Sequence, residues 1–162
     1  MASRETRSET LNSLQAQLRI QALRSVMFHS AVSARLGVVV TDFSCINLLN
    51  LDGPLTPGEL ARRLGLTRGG AVTAMVDRLE RAGFVRRVRD ASDRRRVLVQ
   101  LDEAVAGASV APYFTGLGED LDSYLAGYTD AELALLLRFN TDVNDLVARA
   151  TDALRDDVVP PR

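Results

Sequence analysis

Residues 55–85 read LTPGELARRLGLTRGGAVTAMVDRLERAGFV, and their punctuation decides the fold. Thr56-Pro57-Gly58-Glu59 is a capping box with proline at the first helical position. The hydroxyl and the carboxylate satisfy each other's backbone N–H groups, and proline gives up only a donor that the first turn leaves unused. Leu60, Ala61 and Leu64 then form a short apolar face. Gly65 stops this helix, and Thr67 caps a new one almost at once. The second helix carries its apolar face on Val72, Met75, Val76 and Leu79 and ends at Gly83. A short helix, a tight glycine-containing turn and a second helix make the helix-turn-helix pattern.

After Gly83 the period changes from helical to alternating. Phe84, Val85 and Val88 predict one strand; Val97, Val99 and Leu101 predict a second, with the polar turn DASDRRR at 90–96 between them. A hairpin in that position is a wing. Upstream, residues 1–10 are polar and predict disorder. Leu11, Leu14, Leu18, Ala22 and Val26, with Leu23 and Met27 beside them, predict a long helix over 11–34 that Gly37 ends. Thr41 is a candidate cap for a short, buried helix with Phe43, Ile46, Leu48, Leu49 and Leu51, stopping at Asp52-Gly53. Downstream, Asp102 caps an irregular helix reaching about Leu125, which Pro112 kinks or breaks. Thr129-Asp130-Ala131-Glu132 is a further capping box. It opens a last helix with Leu133, Leu136, Leu137, Val143, Leu146, Val147, Ala150 and Leu154 on one face.

The fold expected is therefore mainly α with a small β-hairpin wing: a winged helix-turn-helix over 38–101, long helices over 11–37 and 102–155, and a tail over 156–162. A winged module does not need those flanking helices for its own core. Their apolar stripes need a partner, and a second copy of the chain supplies one, so 11–37 and 102–155 read as a dimerisation region.

Charge says what the module is for. The 162-residue chain has net charge −1, yet residues 56–101 hold 11 arginines against 5 acids, a local +6. Residues 102–162 hold 4 arginines against 12 acids, a local −8. That asymmetry points to a polyanion partner for the middle of the chain. All 20 basic residues are arginine; composition bias explains this as well as selection for phosphate and base contacts does. Cys45 is the only cysteine, so no intrachain disulfide forms, and with His29 as the only histidine no metal site and no cofactor are expected. The N-terminus lacks the apolar core of a signal sequence, and no run reaches the roughly 18 apolar residues a membrane span needs. The expectation is a cytoplasmic protein with no membrane partner. No nucleophile–base pair or phosphate-cradling loop supports an enzyme. A winged helix that serves only protein contacts would lack the basic surface.

The run LTPGELARRLGLTRGGAVTAMVDRLERAGFVRRVRDASDRRRVLVQL resembles the MarR family of winged helix-turn-helix regulators, over roughly residues 11–155. The most specific parts are MVDRLERAGFVRR and the wing pattern D-x-x-D-x-R, here Asp90, Asp93 and Arg95. Two positions depart from the family. Leu101-Asp102 stands where a Leu-Thr pair is usual, and aspartate caps a helix equally well. Arg68-Gly69-Gly70 makes an unusually glycine-rich first turn in the second helix of the pair.

The resemblance implies a homodimeric regulator, usually a repressor, on double-stranded DNA with a pseudo-palindromic operator. Its recognition helices would lie about 34–36 Å apart. The early residues of the second helix, Thr67, Arg68, Gly69, Gly70 and Thr73, would enter the major groove, where an arginine can contact guanine. Gly69 and Gly70 either let backbone N–H groups approach phosphate or simply fit a tight turn. Three arginines at a hairpin tip repel one another, and Asp90 and Asp93 can pin one or two of them by charge-assisted hydrogen bonds. By resemblance Asp93 orients the wing and Arg95, with Arg94 beside it, reaches the minor groove, whose negative potential attracts arginine. Arg62, Arg63, Arg78, Arg86 and Arg87 are candidates for phosphate contacts; the alternative for Arg78 is a tether between helix and wing. Small aromatic or phenolic effectors of the family bind near helices that here carry His29, Phe43 and Tyr113. A histidine near a helix end is more often structural. Cys45 lies inside an apolar helix, where thiols are usually inert, and the family's redox sensors place their cysteine nearer the chain start.

Overall fold

The computed structural model describes residues 2–66 and 69–156. The elements run α1 (Ala2–Leu36), α2 (Val40–Asp52), α3 (Pro57–Leu64), α4 (Gly69–Arg81), β1 (Val85–Arg89), β2 (Val97–Leu101), α5 (Glu103–Ser109), α6 (Pro112–Leu125) and α7 (Asp130–Asp156). Contacts divide the chain into two compact units at Val110/Ala111. α5 and the winged elements fall in the first of these units, together with α1. The Asp102 N–H donates to the Phe84 carbonyl at 2.8 Å, which fastens the start of α5 to the end of the helix-turn-helix.

The local punctuation was read correctly at most junctions. Thr56 Oγ1 accepts from the Glu59 N–H while Glu59 accepts from the Thr56 N–H, so the capping box is complete. Gly65, between α3 and α4, has φ 67°, and Gly83, between α4 and β1, has φ 80°. Both sit in the left-handed region that only glycine enters cheaply, and each ends its helix. Asp102 caps α5 by accepting from the Val105 N–H at 3.1 Å. Thr129 and Glu132 form the reciprocal box at the start of α7.

Two expectations need correction. Residues 2–10, expected to be disordered, are the first turns of α1. Polar composition does not break a helix; no glycine or proline precedes Gly37, and Thr10 Oγ1 donates to the Thr6 carbonyl within the same helical turn. Thr41 does not cap α2, because the chain already turns helical at Val40 and Val39 takes the cap position without a side-chain bond. Of the two outcomes expected at Pro112, a kink or a break, the chain takes the break: Pro112 is the first residue of α6, the place where a missing N–H costs least. The expected tail over 156–162 lies outside the described residues apart from Asp156, the last residue of α7.

β1 and β2 pair antiparallel, Val85 opposite Leu101 and Arg89 opposite Val97. Leu55 adds a bridge on the other edge of β2, exchanging two backbone hydrogen bonds with Val99 at 3.1 and 2.7 Å. That bridge was not read from the sequence, because a single paired residue between turns has no periodicity. It makes Val99 the centre of the small sheet. Phe43, Cys45 and Ile46 of α2, Leu60 of α3, Met75, Val76 and Leu79 of α4 and Val99 of β2 are fully buried. They bring the three helices and the hairpin onto one core, since α2 contacts α3, α4 and β2.

Leu79, with no exposed surface, tests this core against Leu51, which is 81% exposed. Leu79→Ala is expected to lower the stability of the folded chain by about 2–5 kcal/mol. Leu51→Ala should stay within about 0.5 kcal/mol. Urea denaturation followed by circular dichroism measures both.

Candidate nucleic-acid interface

The candidate interface is built on α4 and the hairpin that follows it. Val72, Met75, Val76 and Leu79 face the core, which leaves Gly70, Ala71, Thr73, Ala74 and Asp77 on the exposed side of α4. Thr67 and Arg68 lie outside the described residues, and Gly69 is the first residue of α4. A Cβ built at Gly70 meets nothing within 4 Å, and its φ is not positive. The folded chain therefore gives no steric or dihedral reason for glycine at this position.

The arginines of the module divide by what their neighbours do to them. Arg78 sits at the edge of the exposed face, but its guanidinium forks onto Asp42 of α2. Nε donates to Oδ2 at 2.9 Å and Nη2 to Oδ1 at 2.6 Å. The Asp42 hydrogen bond raises the Arg78 pKa above the ordinary arginine value. The tether expected of Arg78 thus exists but runs to α2, not to the wing.

The wing is tied down by Arg87 instead. Its guanidinium pairs with Asp77 at 2.6 Å and with Glu80, both on α4, and its backbone N–H also donates to Glu80 at 3.1 Å. Arg87 is more than half buried, which depresses its pKa, and the bonds to Asp77 and Glu80 overcome that, leaving the value raised. Sequence reasoning grouped Arg87 with the phosphate contacts. Strand alternation carried the missing signal, since Arg87 lies two residues after buried Val85 and so on the same face of β1.

At the tip the carboxylates serve the backbone. Asp90 Oδ1 accepts from the Ser92 N–H at 2.8 Å and the Ser92 hydroxyl at 2.7 Å, and these two bonds hold its carboxyl below the usual carboxylate range. Asp93 Oδ1 accepts from the Arg95 N–H at 3.0 Å, and the Asp93 carbonyl accepts from the Arg96 N–H at 2.9 Å, closing a tight turn through Arg94 and Arg95. Neither aspartate makes the expected charge-assisted hydrogen bond to a guanidinium; Arg96 comes only within ion-pair range, 3.9 Å from Asp90 and 3.8 Å from Glu59 of α3. Arg63 pairs with Asp52, and Arg89 donates to the Arg94 carbonyl. Among the described residues, no carboxylate pairs with the guanidinium of Arg94 or Arg95, and both residues are exposed.

This architecture has close counterparts. Residues 40–97 match the model of the MarR family, from the first residue of α2 to the first of β2. The HTH-type transcriptional regulator YcgE of Bacillus subtilis (strain 168) is 36% identical over 155 residues, which is 96% of this chain and 99% of that protein. The chain belongs to the MarR family. A MarR family protein from Bacillus stearothermophilus superposes with a TM-score of 0.63 at 25% identity, covering 87% of this chain and 97% of that one. A transcriptional regulator from Thermotoga maritima shares the fold with a TM-score of 0.60 at 19% identity, covering 87% and 98%. This MarR-family chain is a DNA-binding transcriptional regulator, and its family and relatives are regulators rather than enzymes. In MarR terms α4 is the recognition helix and β1–β2 the wing. Among the described residues, no single helix is long and apolar enough to cross a membrane.

The residues offered as effector contacts differ in exposure. Phe43, expected to line it, has no exposed surface and belongs to the core. His29 is half-buried, with its ring edge-on to Phe43 at 5.6 Å, so Phe43 supports His29 from beneath. Tyr113 is 40% exposed and belongs to the second unit, whereas His29 and Phe43 belong to the first.

Cys45 is fully buried on α2. Burial first, and the negative charge of Asp42 second, push its thiol from 9.0 up to about 12. The sign follows: the neutral buried thiol contributes its full stability below pH 9.0, and that contribution is lost as pH rises towards about 12. Iodoacetamide at pH 8 should leave the native protein unmodified and alkylate Cys45 completely in urea. Rapid labelling of the native chain, read by intact mass, would show the thiol to be accessible.

Proposed function

We propose that the protein is a homodimeric, sequence-specific repressor that binds a pseudo-palindromic operator and is released by a small aromatic ligand. The observation that carries the DNA-binding part of this reading is the pair Arg94 and Arg95. They stand exposed at the wing tip in a turn that Asp93 holds, with no carboxylate on either guanidinium among the described residues, whereas Arg78 and Arg87 are held by carboxylates of α2 and α4. Cations that the fold leaves available are the ones a narrow minor groove can attract. Thr67, Arg68, Gly69, Gly70 and Thr73 then supply the major-groove side, with the exposed backbone at Gly70 free of any side chain that would keep it from the DNA. Asp93 acts by shaping the turn. Arg78 drops out of the contact set, because its fork is spent on Asp42.

Dimerisation is supported by apolar side chains that the single chain leaves in water. Leu23, Val26 and Met27 on α1 and Leu137, Leu146, Val147 and Leu154 on α7 are all more than half exposed. Such stripes on long helices call for burial, and a two-fold partner presents the same stripes. Residues 11–37 and 102–155 remain the proposed dimerisation region. Two recognition helices in one dimer would read successive major grooves, and a ligand that binds one spacing better than the other would shift the population. His29 and Tyr113 are the residues offered for that ligand. The reading places the protein in the cytoplasm, with the chromosome.

Fluorescence anisotropy on the intergenic DNA upstream of the protein's own gene, with excess nonspecific competitor, tests the function. The wild type should bind in the presence of competitor with two chains per duplex. Arg95→Ala should weaken that binding by about 1–3 kcal/mol. Binding that vanishes with competitor, or one chain per duplex, would contradict the proposal.

A further inference from the structure

We propose that Asp42 and Arg78 form a clamp that sets the orientation of the recognition helix, which makes both of them positioning residues for DNA reading. The inference rests on α4 being the recognition helix.

Asp42 occupies the first turn of α2 on the same helical face as Ile46 and Leu49, and only 2% of its surface is exposed. A carboxylate in that position is costly unless it is paired and hydrogen-bonded. Both of its oxygens are met by one guanidinium, at 2.9 and 2.6 Å. Only arginine presents two parallel donors in a rigid fork, so the contact fixes direction as well as distance. The link is long-range, joining positions 36 residues apart.

The two helices touch, and their other buried side chains are apolar: Phe43, Cys45, Ile46 and Leu49 on α2, Val72, Met75, Val76 and Leu79 on α4. Apolar packing of this kind holds two helices together without strongly choosing the roll of either. Arg78 lies one helical turn after Ala74, at the margin between the buried and exposed faces of α4. A fork at that margin resists rotation of α4 about its axis, and so fixes the angle at which Thr73 and Ala74, both on the exposed side, are presented. The other charged group of α4 near this margin, Asp77, is turned to Arg87. The titratable neighbour on α2, Cys45, is neutral.

The clamp makes a prediction whose sign electrostatics alone would reverse. Asp42 is an acid in a protein that binds a polyanion. Were it a bystander, removing its charge would leave DNA affinity unchanged or raise it. Without the clamp, α4 presents its reading residues in the wrong roll, and specific affinity falls. Asp42→Asn leaves no buried charge behind, and Arg78, 44% exposed, can be hydrated, so the variant keeps its core.

Asp42→Asn and Arg78→Lys are each made in the full chain. Circular dichroism confirms folding, and affinity is measured by anisotropy on one operator and on a scrambled duplex of equal length. The clamp predicts that both variants lose operator affinity by at least about ten-fold, the size of one lost base contact, and keep their affinity for the scrambled duplex. The lysine variant isolates geometry from charge, since it keeps the cation and loses the fork. Operator binding by Asp42→Asn as tight as wild type, or full activity of Arg78→Lys, overturns the clamp. So does an equal loss on both duplexes, which reports general destabilisation. A wild type that does not distinguish operator from scrambled DNA refutes the recognition-helix reading itself, and the clamp with it.

Discussion

A carboxylate withdrawn from water must find a cation, and Asp42 finds Arg78 across the α2–α4 contact. The pairing is the first link in a series that runs outward to the wing tip. On either side of Arg78 in α4, Asp77 and Glu80 take hold of Arg87 and with it the first strand of the hairpin. Asp90 and Glu59 lie within 4 Å of Arg96 at the base of the turn. Asp93 shapes the turn itself. Each carboxylate settles one piece of the DNA-facing surface, and Arg94 and Arg95 stand exposed at the end of the series. Carboxylates thus offset part of the local excess of positive charge, that of Arg63, Arg78, Arg87 and Arg96, and leave the guanidinium groups of the wing tip exposed.

These ion pairs supply direction more than stability. The partners of Arg87 are 50% and 40% exposed, and pairs so wet contribute about 0–1 kcal/mol each. The stability comes from the core beneath them, where eight side chains from Phe43 to Val99 are less than 2% exposed. That division suits a DNA reader. The core keeps the helices together, and the polar links choose how they present themselves.

The sequence disclosed local chemistry well and long-range chemistry poorly. Capping boxes at Thr56 and Thr129, glycine stops at Gly65 and Gly83 and the alternation of β2 are all decided by residues within a few positions of one another, and each was legible. The fork from Arg78 to Asp42 was not, because it joins residues far apart in the chain. A signal existed nonetheless. Asp42 stands in helical register with Ile46 and Leu49, and an acid on an apolar face must have a partner. Arg87 stood likewise in strand register with buried Val85. Phe43 was read as a ligand contact because aromatic residues serve both cores and sites, and composition cannot separate the two. The start of α1 was missed because a polar segment was taken for a disordered one, although nothing in residues 2–36 breaks a helix.

The account turns on which arginines the fold has already used, and the salt dependence of operator binding reads that directly. Each phosphate charge neutralised by the protein contributes about 0.9 to the slope of log affinity against log salt concentration. We would measure that slope for wild type, for Arg94→Gln and Arg95→Gln, and for the double variant Asp42→Asn/Arg78→Gln, which removes the inner pair without changing net charge. The slope should fall by about one for each wing-tip variant and stay at the wild-type value for the double variant, whatever happens to affinity. A slope unchanged by the wing-tip substitutions, or reduced by loss of the inner pair, would show that the fold has not divided its arginines in this way.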